Sequence, residues 1–408
     1  MKIKFVARVV FLAILLGCIM GIPAAALSAD GIPQTQGEAR DYARQILQEE
    51  ILNYCSAKYT GEQVPHLSAE QLSESIQYYP DYPRRISDSK GTTITITKPL
   101  NQIVAYNFHA MGALNAEDLV VGVANSAFED ASVVPEIRNK INIGGGGPYE
   151  PDFEKILACK PDAILTYTEL GPGADFFEKR VPEGVPVIRL DFIRPWTLVP
   201  EMNKLGYLIN RTEQSKSYEQ WHDHWNAEID KRLELVPKDK RVRVFVDVWS
   251  TSYGDRSNER RTVSDAEHYS YYCTDAGGIN VASGLNSPQG TVDIEWLAQQ
   301  NPDVILGVAY TGSYADNDVT ELKTQYDELM SHPALQDIPA IKNGRVYVLS
   351  YRYTNGLTYP AARARVAKWF YPDLFSDMDP SAIHQEFVTR FLGSSYDVTK
   401  NGTFSFPD

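Results

Sequence analysis

The fold of this 408-residue chain is decided by the stretch Lys160-Pro161-Asp162-Ala163-Ile164-Leu165-Thr166-Tyr167, which is echoed later by Asn301-Pro302-Asp303-Val304-Ile305-Leu306-Gly307-Val308. Each copy follows a short helix-like run that carries a glutamate, at 151–157 and at 292–297. Each is followed by a further apolar strand, at 185–190 and at 344–349. The repetition predicts two similar α/β lobes.

The pattern around these repeats predicts parallel sheets. A hairpin is expected over 86–100, and strands at 102–106 and 119–123 flank a helix at 110–116. Strands that alternate with helices at this spacing form parallel sheets. A helical stretch lies between the two halves, with a break near 210–212 where Thr212 can cap a second segment. We therefore predict an α/β fold of two Rossmann-like lobes with parallel sheets, joined by one long connector helix, with a ligand cleft between the lobes.

The predicted segments follow from these elements and from the N-terminus. Lys2, Lys4 and Arg8 precede an apolar run and then Ala24-Ala25-Ala26, which is typical of an export signal. Processing at Cys18 with lipidation, or an uncleaved N-terminal anchor, stays open as an alternative. The segments are a signal peptide at 1–29, a helical preamble of unassigned role at 30–84, the first lobe at 85–197, the connector at 198–237, the second lobe at 238–395 and a tail at 396–408.

Composition limits the function classes. A net charge of −14 argues against nucleic acid as a partner, because phosphate binding requires a basic surface. Cys55, Cys159 and Cys273 remain after the signal, an odd number whose disulfide state the sequence does not define. Cys159 lies on an apolar face and is expected to be a buried thiol. No cysteine or histidine spacing is that of a zinc site.

Residues 85–395 resemble the substrate-binding proteins of ABC importers for ferric siderophores, haem and cobalamin, whose lobes are joined by a rigid helix. The resemblance is carried by the hairpin, by both Pro-Asp phrases, by the motifs 102–105, 118–123 and 276–282, and by the segment 367–375. It implies an extracytoplasmic protein, expected to be a monomer, that captures an iron complex or a corrinoid and delivers it to a membrane permease dimer. It implies no enzymatic activity and no cofactor beyond the metal chelate carried as ligand.

In this family one glutamate on each lobe meets arginines of the permease, and Glu154 and Glu295 stand at those places. Two separated anionic points would define the orientation of the protein on a two-fold transporter. Exposed ion pairs contribute only about 0–1 kcal/mol each, so they would orient more than bind.

Candidate ligand contacts lie in the loops after the strands, since ligands bind beyond the carboxyl ends of strands in open parallel sheets. Aromatic faces with hydroxyl groups suit a large flat chelate, and an arginine suits an anionic one. The candidates are Tyr106, Asn107, Phe108, His109, Tyr149 and Tyr167 in the first lobe, and Trp249, Tyr253, Tyr310, Tyr314, Tyr351, Arg352 and Tyr353 in the second.

Two further motifs could be mistaken for a phosphate loop and a metal site. The glycine run 144–147 lacks the Gly-Lys-Ser/Thr ending of a phosphate loop, so we interpret it as a turn or a close backbone approach. His222 and His224 are two apart on a helix and do not face the same way, so we interpret them as solvated surface of the connector rather than as a metal site.

Two other functions compete with the binding protein. An exported α/β hydrolase would need a nucleophile at a strand end, and the chain contains no Gly-x-Ser-x-Gly elbow. A surface interaction protein could reuse the fold with an empty cleft. Turnover of generic esters would favour the hydrolase. Failure to bind any metal chelate would favour the surface interaction protein.

Overall fold

The computed structural model describes residue 78 and residues 81–145, 147–168, 175–249, 258–315, 317–354 and 356–407, with the side chains of Arg352 and Thr354 excepted. The chain divides into two compact units, residues 1–84 with 96–99 and residues 85–95 with 100–408. The predicted signal peptide, Cys18, Cys55 and nearly all of the preamble lie outside the described residues. Both lobes lie in the second unit.

The predicted hairpin is confirmed. Strands β1 (Arg84–Ser87) and β2 (Thr93–Ile96) form a two-stranded sheet. The carboxylate of Asp88 accepts the backbone N–H groups of Lys90 at 3.0 Å and Thr92 at 2.8 Å, which closes the turn between them. Gly91 takes a φ of +83° there, a conformation that favours glycine.

The first lobe contains a five-stranded sheet that is parallel throughout. Its elements are β3 (Ile103–Ala105), α1 (Phe108–Ala113), β4 (Val120–Val123), β5 (Ile141–Asn142), α2 (Phe153–Ala158), β6 (Ala163–Thr166) and β7 (Val187–Arg189), with short 3-10 helices at Glu117–Leu119, Asn125–Asp130 and Pro135–Asn139. The strand order is β5-β4-β3-β6-β7. One face packs a core of Val104, Ile143, Ile156, Ile164 and Phe177.

The connector is two helices rather than one continuous rod. α3 (Pro195–Leu208) ends where the sequence predicted a break, and α4 (Thr212–Leu233) begins at Thr212. Asn210 between them has a φ of +60°, which no helix continues through. No side-chain cap bond forms at the start of α4, so the predicted capping by Thr212 is wrong.

The second lobe contains a second five-stranded sheet. Its elements are β8 (Arg243–Trp249), β9 (Glu259–Val263), α5 (Ser270–Thr274), β10 (Ile279–Asn280), β11 (Gln289–Asp293), α6 (Ile294–Gln300), β12 (Val304–Ala309), α7 (Thr320–Ser331), α8 (Pro339–Lys342), β13 (Val346–Ser350), α9 (Tyr351–Thr354), α10 (Tyr359–Phe370), α11 (Pro380–Phe391) and β14 (Ser405–Phe406), with 3-10 helices at Lys238–Lys240 and Pro333–Leu335.

The strand order of this sheet is β10-β8-β12-β13-β14, and β14 from the tail is its one antiparallel member. β9 and β11 form a separate antiparallel pair. α4 packs against α1 of the first lobe and α10 of the second, so this one helix contacts both lobes. On α4, Trp221 lies 5.5 Å from Phe387 of α11, ring to ring. The prediction of two parallel-sheet α/β lobes is confirmed.

The repeated Pro-Asp phrase has one physical role in both lobes. Lys160 and Asn301, just before the prolines, have φ of +47° and +50°, and each turns the chain out of a helix. The carboxylate of Asp162 then accepts the N–H of Asn101 at 2.8 Å, next to β3. The carboxylate of Asp303 accepts the N–H of Arg243 at 2.8 Å, at the start of β8. Each aspartate therefore fixes the register of the strand that follows it against a neighbouring strand: β6 against β3 in the first lobe, and β12 against β8 in the second.

The structure also shows the state of two cysteines and the character of the helices. Cys159 is buried as expected, Cys273 is buried too, and both are free thiols whose pKa is raised by burial. Within the described part of the chain, no helix has the length and apolar character needed to span a bilayer.

Candidate functional site

Three aromatic side chains, which we call the tyrosine patch, meet near the carboxyl ends of β12 and β13: Tyr269, Tyr310 and Tyr351. Tyr310 follows β12 and Tyr351 follows β13, and their ring centroids lie 5.3 Å apart. Tyr269 is buried and meets Tyr310 edge-on at 5.9 Å, whereas Tyr310 keeps 38% of its surface exposed. The patch therefore presents flat aromatic faces at the sheet edge where ligands bind in open α/β folds.

Beside the second lobe, Trp196 at the start of α3 extends this aromatic surface. Trp196 is 53% exposed and meets Tyr271 of α5 edge-on, with ring centroids 4.5 Å apart. The guanidinium of Arg194 lies 5.9 Å from the Trp196 ring centroid. Burial raises the pKa of Tyr271, although the nearby charge of Arg194 opposes the rise, so the phenol stays neutral at pH 7. The start of the connector thus meets the second lobe here.

The sequence argument missed Trp196, Tyr271 and Tyr269. The rule that ligands bind at strand ends applies equally to the loop after β7, which leads straight to Trp196. Trp196 falls at the end of the predicted first lobe, 85–197, so the same strand-end rule could have found it. Tyr269 and Tyr271 follow the β9 strand, whose antiparallel pairing outside the main sheet is not visible in the sequence pattern.

The two lobes touch at Tyr314. The hydroxyl of Ser132 in the first lobe donates to the Tyr314 carbonyl at 2.7 Å. The His109 ring lies edge-on to the Tyr314 ring at 6.2 Å, and His109 Nε2 lies 3.2 Å from the Asp130 carboxylate. The predicted candidates His109 and Tyr314 are therefore brought together, at a contact between lobes.

Tyr314 and Tyr353 are buried inside the second lobe. The Tyr314 hydroxyl and His384 Nε2 share a hydrogen bond of 2.7 Å, and Tyr353 stacks on His384 at 4.9 Å. Both rings also contact Phe404 of the tail. These two tyrosines fasten the tail and α11 to the lobe rather than offering a face to a ligand.

This buried histidine predicts a dependence of stability on pH. Burial, reinforced by the positive charge of Arg365, lowers the pKa of His384 to about 3. An unfolded histidine titrates near pH 6.5, so between pH 6.5 and 3 the unfolded state binds more protons than the native state. The stabilisation is complete above pH 6.5 and is lost as the pH falls toward 3, by up to about 1.4 kcal/mol per pH unit.

We expect His384→Gln to lose less unfolding free energy than the parent between pH 6.5 and pH 4, measured by urea denaturation at each pH. Exposed His224→Gln is the control and should keep the parent slope. Equal slopes for the parent and His384→Gln would contradict the prediction.

The first-lobe candidates divide into buried and accessible residues. Tyr106, Asn107 and Phe108 are all buried, at 8%, 5% and 3% exposure. The Asn107 amide donates to the Leu190 carbonyl at 3.1 Å, and Tyr106 packs on Phe177 at 5.7 Å while burial raises the pKa of its phenol. These side chains build the lobe core, because the chain enters α1 immediately after β3 instead of forming an open loop.

The remaining candidates are scattered. Tyr149 is 56% exposed, and the Tyr167 hydroxyl donates to the Tyr106 carbonyl at 3.4 Å. Trp249 is buried at the end of β8 and packs against Ala309. Tyr253 and the Arg352 side chain lie outside what the structure describes.

Glu154 and Glu295 occupy equivalent positions on the two lobes. Each is exposed in the first turn of a short helix, α2 or α6. In each case the preceding aspartate caps the helix: Asp152 accepts the N–H of Lys155 at 3.1 Å, and Asp293 accepts that of Trp296 at 2.6 Å. Among the described residues neither glutamate has an ion-pair partner within 4 Å, and both carboxylates are exposed to solvent.

The motifs set aside from the sequence behave largely as interpreted. Gly144 and Gly145 have positive φ, and a Cβ on Gly145 would lie 2.8 Å from the Gly147 carbonyl oxygen, so the chain turns tightly at these two glycines. His222 is not solvated as expected: it is largely buried, its pKa is lowered by burial, and it stacks on Tyr359 at 6.4 Å. Its neighbour Tyr218 is buried there because α4 packs on the second lobe. In the described part of the chain no cluster of three potential metal ligands occurs.

Comparison with known proteins adds independent information. A family model described as "Periplasmic binding protein" matches residues 110–353, more than half of the chain. No curated protein sequence gives a significant match.

Solved structures share the fold at low sequence identity. A TroA-like periplasmic binding protein, FepB, from Veillonella parvula superposes with a TM-score of 0.65 at 19% identity, over 79% of this chain and 99% of that one. The molybdate-binding protein MolA of Haemophilus influenzae gives 0.61 at 19%, over 77% and 99%. A periplasmic heme-binding protein from Pseudomonas aeruginosa gives 0.54 at 18%, over 68% and 94%.

Proposed function

The chain belongs to the periplasmic binding protein family, and from this premise we propose that it captures an iron complex, a ferric siderophore or haem, or a corrinoid, and delivers it to an ABC permease dimer. The family supplies the non-enzymatic, substrate-binding component of ABC transporters, which excludes the hydrolase alternative. What is proposed is the class of ligand, the residues that bind it and the docking contacts.

The tyrosine patch is the observation that carries the choice of ligand. Tyr310 and Tyr351 present rings at 5.3 Å to one another beside the exposed Trp196–Tyr271 pair. Exposed aromatic faces bind large flat or aromatic molecules, and phenol hydroxyls hydrogen-bond their oxygen atoms. A small oxyanion such as the molybdate held by MolA offers little surface to such a patch. The aromatic surface therefore favours a chelate of greater size.

The ligand is to be identified by isolating the protein from its native host and analysing the bound small molecule by mass spectrometry and metal content. In parallel, the purified protein is titrated with ferric siderophores, haem and cobalamin while tryptophan fluorescence is followed. We expect saturable quenching by one class, with a Kd from micromolar to nanomolar, about −8 to −12 kcal/mol. If none of these compounds binds, the proposal is overturned and a surface interaction protein is favoured.

Substitutions in the tyrosine patch are expected to weaken binding. Tyr310→Ala and Tyr351→Ala each remove a ring at the binding surface, and loss of a buried aromatic contact costs about 1–2 kcal/mol or more, so Kd should rise about tenfold. Tyr207→Ala is the matched control: it is an exposed tyrosine near the far end of α3 and should leave Kd unchanged. Trp196→Phe should reduce the quenching amplitude with little change in Kd. If the patch variants bind like Tyr207→Ala, the site lies elsewhere.

Localisation and docking complete the proposal. The protein acts outside the cytoplasm, after cleavage of the signal near Ala26 or Ala29, and is a monomer. Glu154 and Glu295, exposed at matching positions on the two lobes, meet basic residues of the permease. Anchoring through Cys18 is the alternative to a freely diffusing protein, and mass measurement of the mature N-terminus separates the two.

A further inference from the structure

A cavity lies in the second lobe beside the tail, and we call it the tail pocket. Its volume is about 300 Å³. It is enclosed by α10, the first turns of α11, the segment before α7 and the tail. The residues that line it are Asn317, Val319, Tyr353, Arg365, Ser381, His384, Val398, Thr399, Lys400, Asn401, Gly402, Thr403, Phe404 and Ser405.

The charge of the tail pocket is opposite to that of the whole molecule. The described residues that line it include two cations, Arg365 and Lys400, and no aspartate or glutamate, in a chain of net charge −14. His384 in the same wall stays neutral near pH 7, because burial lowers its pKa. Lys400 contributes less than Arg365, since it lies at the exposed rim and pairs with Asp397 at 2.6 Å.

Arg365, which is half-buried, differs from two buried arginines of the lobe. Arg260 is paired with Asp247, and Arg363 with Asp230. Arg365 donates from Nη2 to the Ser381 hydroxyl at 2.6 Å, while its buried Nε meets no acceptor and no carboxylate lies within 4 Å among the described residues. An uncompensated charge in a partly buried position costs free energy, and a bound anion would offset that cost.

The nearest acidic groups are already engaged. The Asp379 carboxylate caps α11 by accepting the N–H groups of Ser381 at 2.9 Å and Ala382 at 3.2 Å. Asp397 holds Lys400 and also accepts the Thr399 hydroxyl at 2.6 Å. Neither of these carboxylates lines the pocket, so both leave the guanidinium without a counter-charge there.

We propose that the tail pocket binds a small oxyanion of the size and charge of phosphate or sulfate, with the Arg365 guanidinium as its principal contact and the Ser381 hydroxyl and Lys400 as secondary ones. The pocket volume is at the lower end of the range for ligand sites, and its two cations without a lining carboxylate suit an anion. The bound anion ties the tail to α10 and α11. This site is independent of the cleft ligand.

The test is calorimetric titration and thermal unfolding of the mature full-length protein with sodium phosphate, with sodium sulfate and with sodium chloride at equal ionic strength. We expect saturable binding of phosphate or sulfate, and a rise in Tm of about 5 °C at a hundredfold excess over Kd. Chloride should not saturate the site. Because sulfate and phosphate also stabilise proteins by exclusion from their surface, saturation at low concentration is the criterion.

Variants separate a specific site from this general salt effect. Arg365→Gln should abolish the saturable signal, and Arg365→Lys should keep part of it. Lys400→Gln, at the exposed rim, should fold normally and weaken binding a few-fold, so the proposal can be tested even if Arg365→Gln is unstable. Arg390→Gln, on an exposed arginine of α11 paired with Glu386, is the control and should bind like the parent. No saturable binding, or equal binding by Lys400→Gln, Arg390→Gln and Arg365→Gln, would overturn the proposal.

Discussion

Reversing both exposed glutamates, as Glu154→Arg with Glu295→Arg, is expected to abolish import while leaving the affinity for the ligand within about twofold of the parent. Each reversal places a positive charge opposite a basic permease surface, and like charges that face each other across an interface cost several kcal/mol. Two such contacts should lower the affinity for the permease at least about a hundredfold. The neutral pair, with glutamine at both positions, should reduce import less, because it removes attraction without adding repulsion.

The measurement is uptake of the identified ligand into proteoliposomes that contain the cognate permease, alongside ligand titration of each variant in solution. Glu213→Arg with Asp337→Arg is the matched control, since it changes the net charge equally at positions that are 85% and 97% exposed. Glu213 also lies in the first turn of a helix, as Glu154 and Glu295 do. Import by the glutamate pair equal to that by the control would refute docking through these residues, and a lost ligand affinity would mean that the fold was damaged.

The part of the fold that depends on local pattern could be predicted from the sequence. The repeated Pro-Asp phrases predicted two lobes. The structure shows why they repeat, because the carboxylates of Asp162 and Asp303 each accept a backbone N–H beside a neighbouring strand at 2.8 Å. The break in the connector was visible at Asn210, which takes a positive φ. Both features arise within a few residues or between adjacent strands, so the sequence carries them directly.

The candidate site was predicted less completely, because strand-end position does not decide which way a side chain points. Tyr106 and Phe108 follow β3 as predicted, yet α1 begins at once and both rings turn into the core. Tyr310 and Tyr351 follow neighbouring strands and do lie side by side. Tyr271 joins Trp196 only through a contact distant in sequence, which depends on the packing of the whole second lobe.

Asp247→Ala is expected to lower the free energy of unfolding by about 3–5 kcal/mol, the cost of leaving a buried charge without its partner. Asp247 is fully buried in the middle of β8, and its carboxylate accepts two guanidinium N–H groups of Arg260 on β9. Gln325 of α7 donates to the same carboxylate at 2.7 Å. Removing Asp247 would leave the guanidinium of Arg260, which is only 3% exposed, with the half-exposed Glu328 as its remaining carboxylate partner.

The glycine in the second copy of the repeat makes this network possible. Gly307 lies directly beside Asp247 in the sheet, and a Cβ there would come within 2.8 Å of the Gln325 amide nitrogen. The hydrogen-bond network of Asp247 joins β8 and β9, the two strands that flank the segment 250–257. Loss of this network should therefore also perturb the proposed ligand site. We therefore expect Asp247→Ala to weaken ligand binding together with stability, whereas Tyr310→Ala weakens binding alone.

Chemical denaturation with urea measures the stability change, and Glu328→Ala supplies the control. Glu328 is the second carboxylate on Arg260, at 3.2 Å, but its side chain is 44% exposed, so its loss should cost about 0–1 kcal/mol. The paired substitution Asp247→Leu with Arg260→Met removes both charges at once and should be less destabilising than Asp247→Ala, since replacing a whole buried ion pair by apolar groups is often neutral. If Asp247→Ala costs no more than Glu328→Ala, the buried pair does not stabilise this strand pair.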